Sequence, residues 1–313
     1  MRAIVYDRYG PPEVLQVREL PSPLPRAGEV LIRVRAAALN PKDSLVRKGK
    51  FTAISGKKFP KLLGYDVCGV VAALGPGGAR FKVGDEVYGM KQEWAGGTIA
   101  EEVCLLEDEL ALKPKSLRFE DAAALPLAAM TALQSLRDLG NVKQGERVLI
   151  NGASGGVGVF AIQIARALGA HVTTTSSAKN LEFCRSLGAN ETLDYAIDNG
   201  MKRGANWDVF FDVFGNRSFF KVRPSLAPNG TYISTVPAPV NVALHLVTRL
   251  FGKRSRLIVV QSNSTDLEQL SKWVEAGALK PVVDRVVPLE ETAAGQAHIE
   301  TKRARGKVVV RIA

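Results

Sequence analysis

Three cysteines and three histidines are all that 313 residues carry of the side chains that usually hold a transition metal. Cys68, Cys104 and Cys184 stand far apart, which excludes a disulfide framework and the paired spacing of a zinc site. His171, His245 and His298 form no cluster with carboxylates at ligand spacing, so each reads as a structural or surface residue and no metal is expected. No apolar run is long enough to cross a bilayer. The stretch Met1-Arg2-Ala3-Ile4-Val5-Tyr6 reads as a strand and has no signal-peptide character. The expectation is a soluble, cytoplasmic chain without stable membrane insertion. Acid is also short, with 31 Asp and Glu against 42 Lys and Arg, a net charge of +11. That excess raises a nucleic-acid partner, but Lys57-Lys58, Lys253-Arg254 and Lys302-Arg303 are dispersed and lack aromatic interleaving, so none is expected. Attraction for an anionic cofactor accounts for the charge. Apolar residues make up 46% of the chain, too many for disorder, and the length predicts about two domains.

What the sequence has is concentrated at 147–158, Arg-Val-Leu-Ile-Asn-Gly-Ala-Ser-Gly-Gly-Val-Gly. Val148-Leu149-Ile150 is an apolar run of the kind that forms a buried strand, and Gly152–Gly158 is a glycine-rich turn. Val157, Phe160, Ala161, Ile164, Ala165 and Leu168 then share one helical face, ended by Gly169. In this setting Ala153-x-Gly155-x-x-Gly158, with Ser154, Gly156 and Val157 between, reads as a dinucleotide cradle. Bare backbone admits a pyrophosphate, and the helix N-terminus offers free N–H groups and partial positive charge. An ordinary tight strand-to-helix turn is the alternative, and the flanks on both sides favour the nucleotide.

Before this stretch, strand-like runs recur at Arg2–Tyr6, Val14–Glu19, Val30–Ala38, Asp66–Ala73, Glu86–Tyr88 and Ile99–Leu105. Turns such as Gly75-Pro76-Gly77-Gly78 separate them, which suggests a partly open barrel. Glu120–Leu139 is helical in composition. Strands at 147–151, 171–176, 191–194, 207–212, 230–235 and 256–261 then alternate with helices at 156–168, 179–187, 217–226 and 265–276. Thr265 and Glu268 are placed as a capping box for the last of these. Alternation of this kind predicts a doubly wound parallel sheet. Strands at 282–287 and 307–312, with a short helix between, are expected to return to the first domain. The expected division is 1–122 with 281–313, and 123–280.

The chain resembles the medium-chain dehydrogenase/reductase superfamily, and within it the zinc-free quinone oxidoreductase branch. The resemblance rests on Asn40-Pro41-x-Asp43-x-x-x-Arg47-x-Gly49, Leu63-Gly64-Tyr65-Asp66-x-x-Gly69-Val70-Val71, Phe81-Lys82-Val83-Gly84-Asp85-Glu86-Val87-Tyr88, Gly152–Gly158, Asp194-Tyr195 and Arg305-Gly306-Lys307-Val308-Val309. Reticulon-interacting-protein-like and chloroplast alkenal reductase-like members are the most similar in pattern. The resemblance implies an α/β protein, a GroES-like partly open barrel joined to a Rossmann domain. It implies an NADPH-dependent oxidoreductase acting on quinones or α,β-unsaturated carbonyls. Zinc alcohol dehydrogenases of the superfamily carry cysteine at the position of Asn40 and Gly-His-Glu at Gly64-Tyr65-Asp66, so zinc is not implied here. It further implies that Asn40 and Thr131 lie near the nicotinamide and that Phe214-Gly215 lines the ring pocket.

A quinone takes hydride once oriented, whereas an enone also needs a donor for its developing enolate oxygen. Tyr65 and Asn40 are the catalytic candidates, with Lys42 beside them; a core tyrosine is the other reading of Tyr65. The strand His171–Ser177 ends without the acid that would bind the ribose hydroxyls of NAD. Ser176, Ser177, Lys179 and Tyr195 could instead bind a 2′-phosphate, which predicts NADPH. A loop capping the next helix explains Ser177 equally. The apolar run Ser255–Gln261 would leave an exposed sheet edge, so a homodimer paired through it is expected. Two alternatives stay open: an NADPH-binding sensor or pseudoenzyme of the same fold, and a membrane-surface protein using the apolar-then-basic stretch 240–257.

Overall fold

A computed structural model of the protein describes residues 1–250 and 252–312. It opens with strands β1 (Arg2–Tyr6), β2 (Gln16–Glu19) and β3 (Glu29–Leu39), helices α1 (Pro41–Arg47) and α2 (Thr52–Ser55), then β4 (Lys61–Leu62), β5 (Asp66–Leu74), β6 (Glu86–Met90), β7 (Glu102–Leu106) and β8 (Leu110–Leu112). Helices α3 (Phe119–Ala123) and α4 (Pro126–Leu133) follow. Strand and helix then alternate as β9 (Arg147–Asn151), α5 (Gly158–Ala167), β10 (His171–Ser176), α6 (Leu181–Ser186), β11 (Glu191–Asp194), β12 (Trp207–Asp212), α7 (Phe219–Val222), β13 (Leu226–Ser234), α8 (Pro239–Val247) and β14 (Arg254–Leu257). The last elements are α9 (Ser264–Glu275), β15 (Val283–Pro288), α10 (Thr292–Glu300) and β16 (Lys307–Arg311).

These elements form two compact units, residues 1–130 with 261–277 and 281–313, and residues 131–260 with 278–280. Residues 123–130 and α9 therefore fall with the first unit, where the sequence had assigned them to the second. For α9 the reason is a buried anchor: the Tyr88 hydroxyl on β6 donates to the Leu267 carbonyl at 2.6 Å and lies 3.0 Å from Ser271 Oγ.

In the first unit, β2-β1-β4 form one small sheet, and β15-β16-β3-β5-β6-β8 form a larger one in which β7 also pairs with β3. The long strand β3 shows why it is central. Val30, Ile32 and Val34 are buried in alternation, and Ala36–Leu39 are buried on both faces, where only small side chains leave room for α3. The strand β16 does return, lying parallel to β15 and antiparallel to β3.

The second unit holds a six-stranded parallel sheet in the order β11-β10-β9-β12-β13-β14, with Val148, Leu149, Ile150, Phe210, Phe211 and Tyr232 in its core. Chain order reverses between β9 and β12. The carboxyl ends of strands at such a reversal are where doubly wound sheets open a crevice. The fold is thus α/β, the β-rich unit and the Rossmann-type sheet that the sequence predicts.

Three local readings are corrected. The helix expected over 120–139 breaks at Pro126, which has no N–H to give, and its last turn loosens into a π-helix at Gln134–Leu139. Helix α9 starts one residue early, so its cap is Asn263 and not Thr265. Asn263 Oδ1 accepts the Asp266 N–H at 2.8 Å while its Nδ2 donates to the Asp266 carboxylate at 3.0 Å. Strand β14 stops at Leu257, and its outward amides are already taken. Ser255 N–H donates to Thr248 Oγ1 at 2.8 Å and Leu257 N–H to His245 Nδ1 at 3.0 Å. The strand expected over 255–261 therefore ends at Leu257, and beyond it the Ile258 N–H donates to the Ser234 carbonyl at 3.1 Å while the Val259 side chain is exposed. Helix α8 leaves Val240, Val242, Leu246 and Val247 exposed, and among the described residues no helix is long and apolar enough to cross a membrane.

Candidate active site

In the second unit the glycine turn has the shape a pyrophosphate cradle needs. Gly152 adopts φ +84°, and a Cβ there would meet the Cβ of Phe214 at 2.9 Å. A Cβ at Gly158 would lie 2.5 Å from the carbonyl oxygens of Gly152 and Ala153, so only glycine lets α5 start so close under the turn. At Gly155 a Cβ would meet nothing nearer than the Gly152 carbonyl at 3.5 Å, leaving backbone open to an approaching ligand. Ser154, Gly155, Gly156 and Val157 are partly exposed, and Ala153 is packed beneath them.

A buried network fixes the strand ends around this turn. Asn151 Nδ2 donates to Asp212 Oδ1 at 2.7 Å and to Asn216 Oδ1 at 2.9 Å, and Asn151 Oδ1 accepts from the Thr175 hydroxyl at 2.7 Å. Asp212 also accepts the Gly215 N–H at 2.9 Å, the Arg217 N–H at 2.8 Å and the Tyr232 hydroxyl at 3.1 Å. Phe214 and Gly215 are thereby held over the reversal point, with Gly215 at φ +72° and the Phe214 ring half exposed. The sequence pointed to Phe214 and Gly215 but not to Asn151 or Asp212. The trace was visible: two polar residues end otherwise apolar strands, where each needs a partner.

Of the set proposed for a 2′-phosphate, Ser176 and Tyr195 are neighbours across two strand ends. Ser176 pairs with Asp194 across β10 and β11, and the Tyr195 N–H donates to the Ser176 carbonyl at 3.0 Å. Ser176 is buried, Ser177 half-buried, and Lys179 and Tyr195 exposed. Asn180 Nδ2 donates to Ser154 Oγ at 3.0 Å and so ties this loop to the glycine turn. The Asp194 carboxylate accepts its own loop's Ala196 N–H at 3.0 Å. Ser177 stands at a helix N-cap but makes no side-chain cap bond, which leaves the capping explanation without its contact.

The first unit holds a second polar cluster, built where α1, β5 and β16 begin. Asn40 is the N-cap of α1 and forms a capping box with Asp43, whose Oδ2 accepts the Asn40 N–H at 2.6 Å. Asn40 Nδ2 donates to Asp66 Oδ2 at 2.9 Å and to the Ala38 carbonyl at 3.3 Å. The Lys307 ammonium donates to Asn40 Oδ1 and, at 3.1 Å, to Asp66 Oδ2. Asp66 Oδ1 accepts the Leu127 N–H at the start of α4, at 2.7 Å. All three side chains are buried, Asn40 2%, Asp66 0% and Lys307 3% exposed. Asp43 is buried too, with Oδ1 unpartnered, and burial raises its carboxyl to about 7 despite the Asn40 N–H.

Beside this cluster Lys42 lies partly exposed in the first turn of α1. Its ammonium sits 3.7 Å from the centre of the Tyr65 ring and 4.4 Å from that of Trp94. Burial against these rings draws it down to about 8, against the pull of Asp43 and Asp66.

Both catalytic candidates have hydrogen-bond partners within the protein. Tyr65 is 2% exposed, and its hydroxyl donates to the Trp94 carbonyl at 3.1 Å. Burial pushes its proton affinity up, so the phenol packs as a core tyrosine. Asn40 has spent both amide hydrogens and its oxygen inside the cluster. Of the three side chains, Lys42 is the one with hydrogens still turned away from protein acceptors. Thr131 is buried in α4 and falls in the second unit, whereas Asn40 falls in the first.

Comparison with known proteins gives two family matches. Residues 26–115 match the family model described as alcohol dehydrogenase GroES-like domain, and residues 187–310 the one described as zinc-binding dehydrogenase. The NADPH-dependent alkenal/one oxidoreductase of Arabidopsis thaliana chloroplasts is 36% identical, over 99% of this chain and 79% of its own. The solved quinone oxidoreductase from Coxiella burnetii is 34% identical with a TM-score of 0.92, covering 100% of this chain and 99% of its own. A solved protein titled NAD-dependent alcohol dehydrogenase is 36% identical with a TM-score of 0.85 over 100% of both chains. The zinc that the second family description implies does not fit these residues. Among the described residues no three His, Cys, Asp or Glu side chains are grouped to hold a metal, and Asn40 and Asp66 grip an ammonium.

Proposed function

The chain belongs to the medium-chain dehydrogenase/reductase superfamily, in its quinone oxidoreductase-like branch, and is an oxidoreductase; from that premise we propose that it reduces α,β-unsaturated carbonyls and quinones with NADPH and without zinc. The observation that carries the reading is Lys42, an ammonium with a depressed proton affinity and hydrogens free of protein acceptors. NADPH supplies a hydride from C4 of its nicotinamide. The turn 152–158 would hold the pyrophosphate through open backbone and the α5 N-terminus, and Phe214-Gly215 would border the nicotinamide. With an enone, Lys42 donates a hydrogen bond and then a proton to the oxygen that gains charge as the β-carbon accepts hydride. A quinone develops a far less basic aryloxide, so its reduction leans less on Lys42.

The preference for NADPH rests on Ser176, Ser177, Lys179 and Tyr195, which gather hydroxyls and one ammonium at the end of β10 with no acid on that strand. A homodimer through 258–261, where Val259 is exposed, is part of the same reading.

The protein titled NAD-dependent alcohol dehydrogenase favours a second reading, alcohol oxidation with NAD. The cluster argues against it, because an alcohol needs its hydroxyl acidified and neither Asn40 nor Asp66 is open to a metal that could do so. Steady-state assays decide: NADPH and NADH with an α,β-unsaturated aldehyde, with benzoquinone, and NAD with simple alcohols. Lys42→Met should cut kcat/KM for the aldehyde roughly a hundredfold and for benzoquinone only a few-fold. Equal losses on the two substrates, or alcohol turnover matching the better of them, would reject the proposal.

A further inference from the structure

A lysine 3% exposed at the head of β16, whose next residues are Val308, Val309 and Val310, calls for an account. A buried ammonium is costly unless paired and fully hydrogen-bonded. Lys307 is paired with the Asp66 carboxylate through Oδ2 and also donates to Asn40 Oδ1, two hydrogen bonds from its three N–H groups. It also sorts the Asn40 amide, since the ammonium needs the oxygen and the carboxylate needs the nitrogen. Asn40 is the N-cap of α1, and Lys42 stands two residues further on in the first turn. Asp66 in turn caps α4 through the Leu127 N–H. One buried cation thus ties together β16, β5 and the starts of two helices.

We infer that the Lys307 ammonium is the protein's internal substitute for a metal ion: it neutralises Asp66, locks Asn40 as the α1 cap, and so acts as a positioning residue that aims Lys42 at the enolate oxygen. The inference rests on Lys42 as the donor in the proposed function. It explains why Asn40 and Asp66 offer no metal a place, the charge being already supplied by a side chain of the protein itself. It also separates two functions that a metal would combine. Lys307 organises the site, while the proton comes from Lys42.

The test compares wild type with Lys307→Met, Lys307→Arg and the charge-neutral pair Lys307→Met with Asp66→Asn, for melting temperature and for kinetics with an α,β-unsaturated aldehyde and with benzoquinone. Lys307→Met should lose about tenfold or more in kcat with the aldehyde, keep its KM for NADPH, and lose much less with benzoquinone. Lys307→Arg should recover part of the aldehyde rate. The double variant should melt above Lys307→Met, because Asp66 is no longer an unpaired buried charge. Should Lys307→Met fail to fold, the double variant carries the kinetic test and should stay about tenfold down with the aldehyde. Unchanged aldehyde kinetics, equal losses on both substrates, or a double variant no more stable than Lys307→Met would overturn the inference. Lys42→Met run alongside separates the two claims. If it keeps the aldehyde rate, the donor assignment fails, and the melting temperatures still judge the charge substitution.

Discussion

An ammonium laid against two aromatic faces loses water on both sides, and Lys42 is drawn down to about 8 for that reason. Below that pH it is charged and can donate; above it the neutral amine is a poor acid. Aldehyde kcat/KM should therefore fall as pH rises through about 8, while the benzoquinone profile stays flatter across the same range. A flat aldehyde profile between about pH 7 and 9 would count against Lys42. Lys179 is the residue proposed to hold the cofactor's 2′-phosphate. Losing one charged hydrogen bond costs about 1.5–3 kcal/mol, so Lys179→Ala should raise KM for NADPH about tenfold or more and leave NADH nearly unchanged. Equal weakening of both would remove the 2′-phosphate assignment. At this scale the sequence offered candidate side chains but not their surroundings. Tyr65, Asn40 and Lys42 were all on view, and their roles turned on where Trp94, Asp66 and Lys307 fell, which no local spacing records.

Elements whose logic is local were readable. The cradle from β9 through the turn to α5 is one continuous stretch, so its apolar run, glycines and helical face announce it together. Its close packing gives a sharp prediction. Gly158→Ala would set a methyl 2.5 Å from two backbone carbonyl oxygens, which cannot swing aside as a side-chain end could. The variant should lose measurable NADPH binding in a fluorescence titration and melt at a lower temperature, whereas Gly155→Ala, with open space around it, should keep the melting temperature of wild type. Wild-type NADPH affinity in Gly158→Ala would refute the cradle. Where an element's ends depend on neighbours, the reading slipped. Strand β14 stops at Leu257 because α8 and the turn after it supply His245 and Thr248 as partners for its outer amides. The cap of α9 is Asn263 because the helix begins at Ser264, one residue before the expected start.

For the whole molecule, two units were legible because a barrel-like strand pattern gives way to strand–helix alternation, yet the border was not, since α9 is held by the Tyr88 hydroxyl from far upstream. The dimer proposed through 258–261 is tested at this scale. Sedimentation at micromolar concentration should show a dimer, and Val259→Asp should shift it to monomer without changing the melting temperature of the isolated chain. A monomeric wild type would dispose of it. The placement of β16 reaches further. Lys307 and its partner Asn40 are 267 residues apart, and β16 lies inside the large sheet, between β15 and β3. At roughly 5–20 residues per second, a ribosome takes on the order of ten to fifty seconds to travel that distance. Throughout that interval the Ala36–Leu39 stretch of β3 waits without its β16 partner and the Asp66 carboxylate without the Lys307 cation, while the intervening parallel sheet already has every strand it needs. The nascent chain is therefore committed to a lopsided intermediate, one unit complete and the other open. The open one is the first unit, which holds Asn40, Lys42 and Asp66.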